Sequence, residues 1–303
     1  MTKIVTNANN KGGTGKTFLS KNMAEYGALV LGLRTLIIDL DPQANASRRY
    51  LEMELAADDV GHWVPPVHDD YNPNDPDDAD WDGRSSTANI WLGSVAPAYP
   101  TAYPNLFVLP ADSRRLQEIE EVNKEEVEEK IVDWFKEFIN LDEIKGDYDL
   151  IVIDTRPSKG PLVRAALNAS THLVIPTEME APSVEGLHGM LSVRSQANAR
   201  RSSDDQLALV GILANKVRTN TIIHSEYMAA LQEDPLIGPQ MLRHHLNDWV
   251  AYKQLMPAVP KGVRNSIFDS PPSQKEHGQM MAVCGEIFSK MGFEVPADTK
   301  ESA

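Results

Sequence analysis

Short apolar runs alternate with longer stretches in which apolar residues recur every three or four positions. Ile4 and Val5 open the first run, and residues 35–39 (TLIID), 149–154 (DLIVID), 172–176 (HLVIP) and 207–214 (LALVGILA) form four more. Each is too short for a buried helix and carries β-branched residues, so each predicts a buried strand. Residues 16–32, 161–169, 183–199 and 222–232 predict the intervening helices. From residue 114 to 139, Leu116, Ile119, Val122, Val127, Ile131, Trp134, Phe135 and Phe138 fall at mixed three- and four-residue spacing. That spacing predicts one long amphipathic helix, or two broken near Asn123, with the glutamates on a solvated face. Strands alternating with helices give an α/β, doubly wound, mostly parallel sheet with helices on both faces.

The pattern fails at residues 52–82, which hold eleven acidic residues, no lysine or arginine, and Pro65, Pro66, Pro73 and Pro76. Such a stretch buries little, so an irregular or mobile insertion is expected, extending over about 52–104. Asp78, Asp80, Asp82 and Gly83 match the first half of a calcium loop. Asn89 stands where that loop needs a bidentate glutamate and Ser85 where it needs an apolar residue, so a solvated acidic loop is the favoured reading.

Charge follows the same division. The net −15 is distributed as +4 over residues 1–51, −19 over 52–154 and zero over 155–303. Nucleic acid would be repelled at long range, and any contact with it must come from a local basic patch acting within ~8 to 10 Å. No apolar run reaches 18 residues, and no basic segment followed by an apolar one opens the chain, so a cytoplasmic address without a membrane span is expected. Cys284 is the only cysteine, which excludes an intrachain disulfide and any multi-cysteine metal site within one chain; it is read as core packing.

The candidate chemistry begins between the first strand and the first helix, at Lys11-Gly12-Gly13-Thr14-Gly15-Lys16-Thr17. This is a phosphate-binding loop in which Asn10 replaces the first glycine. Backbone N–H groups close around the phosphates, Lys16 meets their terminal oxygens and the Thr17 hydroxyl meets Mg²⁺. With Lys16 already in place, a second lysine on one loop has little room at the same phosphate, so Lys11 is read as serving a partner subunit. A glycine-rich turn that binds nothing is the disfavoured alternative. Asp39-Leu40-Asp41-Pro42-Gln43 puts two carboxylates at a strand end, where ligands of parallel sheets bind. Asp154 ends another apolar run and is the Walker B candidate for Mg²⁺. Arg156, two residues on, tunes hydrolysis or pairs with an acidic neighbour; both readings stay open.

Over residues 3–50 and 105–291 the chain resembles the ParA/MinD-type ATPases, whose deviant Walker A motif the KGGTGKT loop matches. The resemblance implies one P-loop ATPase domain over residues 1–303 with a short flexible tail from about 292. ATP and Mg²⁺ are the implied cofactors, and Lys11 would reach across a nucleotide-sandwich homodimer. Asp41 would position the attacking water, Asp39 would lie nearer the Mg²⁺ shell with Thr17 and Asp154, and Asn215 would contact adenine. The stretch 180–187 (EAPSVEGL) matches the family's segment after the next strand. Pro260 would pack by the base. Phe18 departs from the pattern, which has a second threonine there aimed at the α-phosphate.

Lys261 and Arg264 are candidates for a DNA-facing surface, although a surface salt-bridge role is as compatible. The implied function is slow, partner-stimulated ATP hydrolysis by a dimer that binds non-specific DNA in its ATP state. It would segregate plasmid or chromosomal DNA with an adaptor of ParB type, and so be nucleoid-associated. Positioning of a protein organelle or receptor cluster is the alternative. A MinD-like membrane cycle is disfavoured because residues 292–303 carry Pro296 and three acidic side chains against one lysine. A metabolic P-loop enzyme is disfavoured by Lys11 and the D-x-D-P-Q segment. Because no helix-turn-helix extension precedes the loop, the class without built-in operator binding is expected.

Overall fold

The computed structural model describes residues 2–56, 61–93, 97–180, 183–257, 260 and 262–296. The strands are β1 (Lys3–Asn7), β2 (Thr35–Asp39), β3 (Glu54–Leu55), β4 (Trp63–Val64), β5 (Tyr99–Pro100), β6 (Leu106–Leu109), β7 (Leu150–Asp154), β8 (His172–Glu178) and β9 (Ala208–Asn215). The helices are α1 (Lys16–Glu25), α2 (Ser47–Tyr50), α3 (Asn89–Leu92), α4 (Ser113–Glu120), α5 (Glu125–Ile139), α6 (Asp142–Asp147), α7 (Pro161–Ala169), α8 (Ser183–Ala199), α9 (Ile222–Glu233), α10 (Val250–Gln254) and α11 (Lys275–Lys290). Seven strands form one sheet in the order β5-β6-β2-β7-β1-β8-β9, parallel throughout except for the antiparallel edge pair β5 and β6. β3 and β4 form a separate two-stranded hairpin.

The period-two alternation along the central strands sorts their side chains onto two faces. Val5, Ile37 and Val152 meet Leu19, Met23 and Tyr26 of the first helical segment and Val283, Ile287 and Phe288 of α11. Ile4, Leu36, Ile38, Ile151 and Ile153 meet Leu116 of α4, Phe135 of α5 and Leu162 of α7. Helices therefore cover both faces, as the alternation of strands and helices predicts. Cys284 lies fully buried in the first of these layers, where burial pushes its thiol pKa up.

Three details refine the expected elements, and the break near Asn123 is one of the two forms the spacing allowed. The first helix gives way after Glu25 to a π-helical turn over Tyr26–Val30. There Gly27 passes so close to the sheet that a Cβ would stand 2.6 Å from Leu150. The 114–139 segment is two helices, α4 and α5, parted around Asn123. β6 and α11 were not among the predicted elements; β6 is only four residues long.

The acidic insertion is irregular, yet it is packed against the sheet edge. The His68 ring is 3% exposed, 4.5 Å from the Tyr99 ring and 5.7 Å from that of Trp81. Tyr99 donates its hydroxyl to the Pro66 carbonyl at 2.7 Å and accepts from the Ser85 N–H at 3.0 Å. Arg84 pairs with Glu54 at 2.7 Å. The calcium-like triplet does not converge. Asp78 accepts from the Asn72 N–H, and Asp82 from the Arg84 N–H. Among the described residues no three His, Cys, Asp or Glu side chains gather as a metal-binding group, and no helix is long and apolar enough to cross a membrane.

Candidate nucleotide site

Parallel pairing brings Asn7, Asp154 and Asp39 side by side at the C-terminal ends of β1, β7 and β2. The loop from Asn9 to Gly15 leaves β1 at this edge and turns into α1, whose N-terminus faces the same crevice. Gly13 and Gly15 adopt φ of +81° and +88°, left-handed values that cost an L-residue strain and let successive N–H groups line a concave anion nest. At Gly15 a Cβ would also stand 2.1 Å from Asn215 Nδ2. Asn9 anchors the loop at both ends, donating to the Pro176 carbonyl at 2.8 Å and accepting from the Lys11 N–H at 3.0 Å.

The two lysines have different settings. Lys16 is 5% exposed and donates to the Lys11 carbonyl at 3.1 Å. Burial lowers its pKa, opposed by the carboxylates of Asp154 and Asp41. Lys11 reaches outward and pairs at 2.6 Å with Glu180, whose side chain is 57% exposed. That ammonium holds the Glu180 carboxyl below its usual range.

Three aspartates divide the remaining work. Both Asp39 oxygens are engaged: Oδ1 accepts from the Asp41 N–H at 3.0 Å, and Oδ2 from the Ser47 N–H and hydroxyl at 2.9 and 2.7 Å. Asp39 thus fixes the turn into α2. Asp154 accepts from Ser20 at 2.9 Å through Oδ1, while its buried Oδ2 has no hydrogen-bond partner. Burial, and then repulsion from Asp41, pushes Asp39 up to about 6; burial, and then repulsion from Asp39, pushes Asp154 up to about 8. Thr17 and Ser20 hydroxyls oppose the rise at Asp154. Asp41 is also raised by burial, opposed by the Gln43 N–H, Arg156 and Lys16. Arg156 lies 3.9 Å from Glu120, so it neighbours an acid and acts on Asp41 as well.

An orphaned buried Asp154 oxygen, a buried and unpartnered Thr14 hydroxyl and the nest of N–H groups suit a Mg²⁺-triphosphate. Mg²⁺ needs only one or two protein carboxylates when phosphates and waters complete its shell.

Beside the loop, a cavity of about 100 Å³ is lined by Gly15, Phe18, Asn215, Trp249, Tyr252 and Met256, among others. Phe18, the departure from the threonine pattern, packs on Tyr252 at 5.2 Å between ring centroids, and Trp249 lies 5.5 Å from Tyr252. Pro260 is exposed and does not line this cavity. Asn215 lines it, but its amide is engaged, donating to the Thr14 carbonyl at 2.8 Å and accepting from the Lys216 N–H at 2.9 Å. Arg264 pairs with Asp269 through two guanidinium nitrogens and lies 5.6 Å from the Tyr103 ring centroid. Lys261 lies outside the described residues.

Sequence reasoning missed Ser47, Lys216, Trp249 and Tyr252. Trp249 and Tyr252 stand three residues apart, one helical turn, which is a legible pattern. Lys216 follows a strand-ending asparagine directly. Ser47 gives no sequence signal, because only the fold of the 40–46 turn returns it to Asp39.

The fold and this strand-end constellation define a P-loop nucleoside triphosphatase with a deviant, two-lysine Walker A loop. The chain belongs to the ParA/MinD family of ATPases. The family described as an AAA domain matches residues 2–209. Protein IncC of Escherichia coli is 27% identical over 301 residues, spanning 95% of this chain and 70% of that protein. The sporulation initiation inhibitor protein Soj of Bacillus subtilis is 32% identical over 222 residues, spanning 73% and 75%. Among solved structures, Cyanothece McdA superposes with TM-scores of 0.70 and 0.71 at 18% and 17% identity, covering 96% and 98% of this chain and 100% and 98% of those chains. A putative plasmid partition protein of Borrelia burgdorferi bound to AMPPNP gives 0.64 at 19% identity, covering 96% of this chain and 100% of its own. At such identities these structural likenesses bear on the fold alone.

Proposed function

We propose that the protein is a partition or positioning ATPase that dimerises around ATP and Mg²⁺, binds non-specific DNA in that state and segregates DNA with an adaptor protein. The observation that carries this reading is the contrast between its lysines. Lys16 is buried beside Asp154 and Asp41 and serves its own site, whereas Lys11 projects to the surface, paired with exposed Glu180. A cation so placed suits a second subunit's phosphates.

In this reading the loop N–H groups and Lys16 bind the phosphates, and the Phe18, Trp249 and Tyr252 cavity takes the base. Thr17 and the unpartnered oxygen of Asp154 would hold Mg²⁺, which would supply positive charge to the phosphates. Asp39, with both oxygens engaged, orients the turn that carries Asp41. Asp41, raised by burial and drawn back by the Gln43 N–H, Arg156 and Lys16, positions water for attack. Turnover by one subunit is slow because one of its cations must come from the partner.

The reading takes support from the family membership above and from the chromosome-partitioning ATPase Soj of Treponema pallidum, 30% identical over 230 residues. DNA co-sedimentation tests its outermost claim. With ATP, the wild type pellets with non-specific DNA at low salt, and affinity falls with a log–log salt slope of about −0.9 per neutralised phosphate. Glutamate at both Lys261 and Arg264 abolishes this and leaves ATP-dependent dimerisation intact. Absence of ATP-dependent DNA binding by the wild type would contradict the DNA-based reading.

A further inference from the structure

Two consecutive carbonyls of the phosphate-binding loop are held by two consecutive residues at the end of β9. The Thr14 carbonyl accepts from Asn215 Nδ2 at 2.8 Å, and the Gly13 carbonyl accepts from Lys216 Nζ at 2.5 Å. The same ammonium pairs with Glu178, at the end of β8, at 2.6 Å. Lys216 stands at φ +53°, a left-handed conformation that costs a lysine strain and that glycine would adopt freely. Neighbouring Asn215 uses its Oδ1 on the Lys216 N–H, so each polar end of its amide makes one hydrogen bond at this strand end.

A trans peptide points its C=O and its N–H in opposite directions. Turning the Gly13 and Thr14 carbonyls toward β9 therefore turns the N–H groups of Thr14 and Gly15 away from β9, into the concave side of the loop. These are the donors an anion nest requires, and the clamp acts together with the left-handed backbone at Gly13 and Gly15. Preset donors bind without first reorganising, which is where their affinity comes from.

We infer that Asn215 and Lys216 form a clamp that presets the phosphate nest, so that Asn215 acts on the phosphates through the loop. Both are positioning residues: they touch the loop, and the loop touches the phosphates. The inference rests on the nucleotide reading above and deepens it. It assigns Lys216 a role in the site and places that of Asn215 at the phosphate end of the ligand. Two consecutive side chains where β9 ends thus hold a loop some 200 residues earlier in sequence.

The decisive comparison sets ATP against inorganic tripolyphosphate, which presents phosphates without a base. Equilibrium binding, each ligand with Mg²⁺, is measured for the wild type, Asn215→Ala, Lys216→Met and Lys216→Arg. The clamp predicts that Asn215→Ala and Lys216→Met each lose roughly tenfold in affinity for both ligands, with their ratio unchanged, while Lys216→Arg recovers most of the loss. Hydrogen exchange on the ligand-free variants supplies a second readout: the amides of residues 13–15 exchange faster in both variants than in the wild type. Asn215 is neutral, so its effect cannot come from lost charge. The clamp is overturned if Asn215→Ala loses ATP and keeps tripolyphosphate, which makes it a base reader. It is equally overturned if neither variant alters loop exchange. A wild type that binds neither ligand would overturn the nucleotide reading and the clamp together, and only that outcome touches the former.

Discussion

The nucleotide face and the acidic insertion lie beside one another on the same sheet and handle polarity in opposite ways. At the ends of β1, β2 and β7, polar groups are buried at a cost. Asp154 keeps an oxygen without a partner among the described residues, burial and neighbouring carboxylates raise the pKa values of Asp39 and Asp154, and Lys16 is desolvated. Along the β5 and β6 edge, the far more acidic insertion spreads its carboxylates toward solvent and uses its few buried polar groups to fasten itself, through His68, Tyr99 and Arg84. Charge density in the sequence therefore does not locate function here. The candidate nucleotide site lies where a small number of polar groups are buried at a cost inside the fold.

The largest effect expected from breaking this contrast is at Lys16. Lys16→Ala removes the principal cation from the phosphate oxygens, at least two charge-assisted hydrogen bonds, and nucleotide affinity measured by equilibrium binding falls by roughly 100-fold or more. Asp41→Ala comes next. Binding survives because the phosphate contacts are intact, turnover drops by roughly 10²- to 10³-fold, and the ATP-bound dimer becomes long-lived. Turnover measured beside dimer lifetime checks this, and retained hydrolysis would move the role to another carboxylate.

The strand-end chemistry was legible because it is local in sequence: loop residues 11–17, and aspartates that terminate apolar runs at 39 and 154, announce themselves by spacing. The clamp of Asn215 and Lys216 on residues 13 and 14 was not, since it depends on β8 and β9 lying beside β1. The engagement of both Asp39 oxygens was hidden for the same reason, because Ser47 returns only through the turn after Pro42. In the insertion, composition argued for an irregular or mobile loop. Its packing comes from His68, Trp81 and Tyr99, three rings scattered over 32 positions with no period to betray them.

Smaller effects sharpen the comparison in stability. Asp39 and Asp154 have folded-state pKa values raised above the ordinary 3.8, so the folded protein holds protons that the unfolded chain releases. Their unfavourable contribution is absent below about pH 4, grows as pH rises and is complete above about 8. Asp154→Asn removes the larger part. In thermal melts without ligand its Tm exceeds that of the wild type by a margin that widens from pH 5 to pH 9, at roughly 2–4 °C per kcal/mol recovered, while Mg²⁺-dependent nucleotide binding is lost. A margin that narrows as pH rises would contradict the assignment. In the insertion, Tyr99→Phe deletes one hydroxyl that both donates and accepts, costing about 1–3 kcal/mol in denaturant unfolding and leaving nucleotide affinity unchanged.

The central claim is that the two lysines of one loop serve two different subunits, and sedimentation of Lys11→Ala with saturating ATP and Mg²⁺ tests it most directly. The account predicts nucleotide affinity within about threefold of wild type, because Lys16 and the nest remain, together with a sedimentation coefficient that stays monomeric where the wild type shifts to a dimer. A Lys11→Ala protein that dimerises with ATP as the wild type does would contradict it.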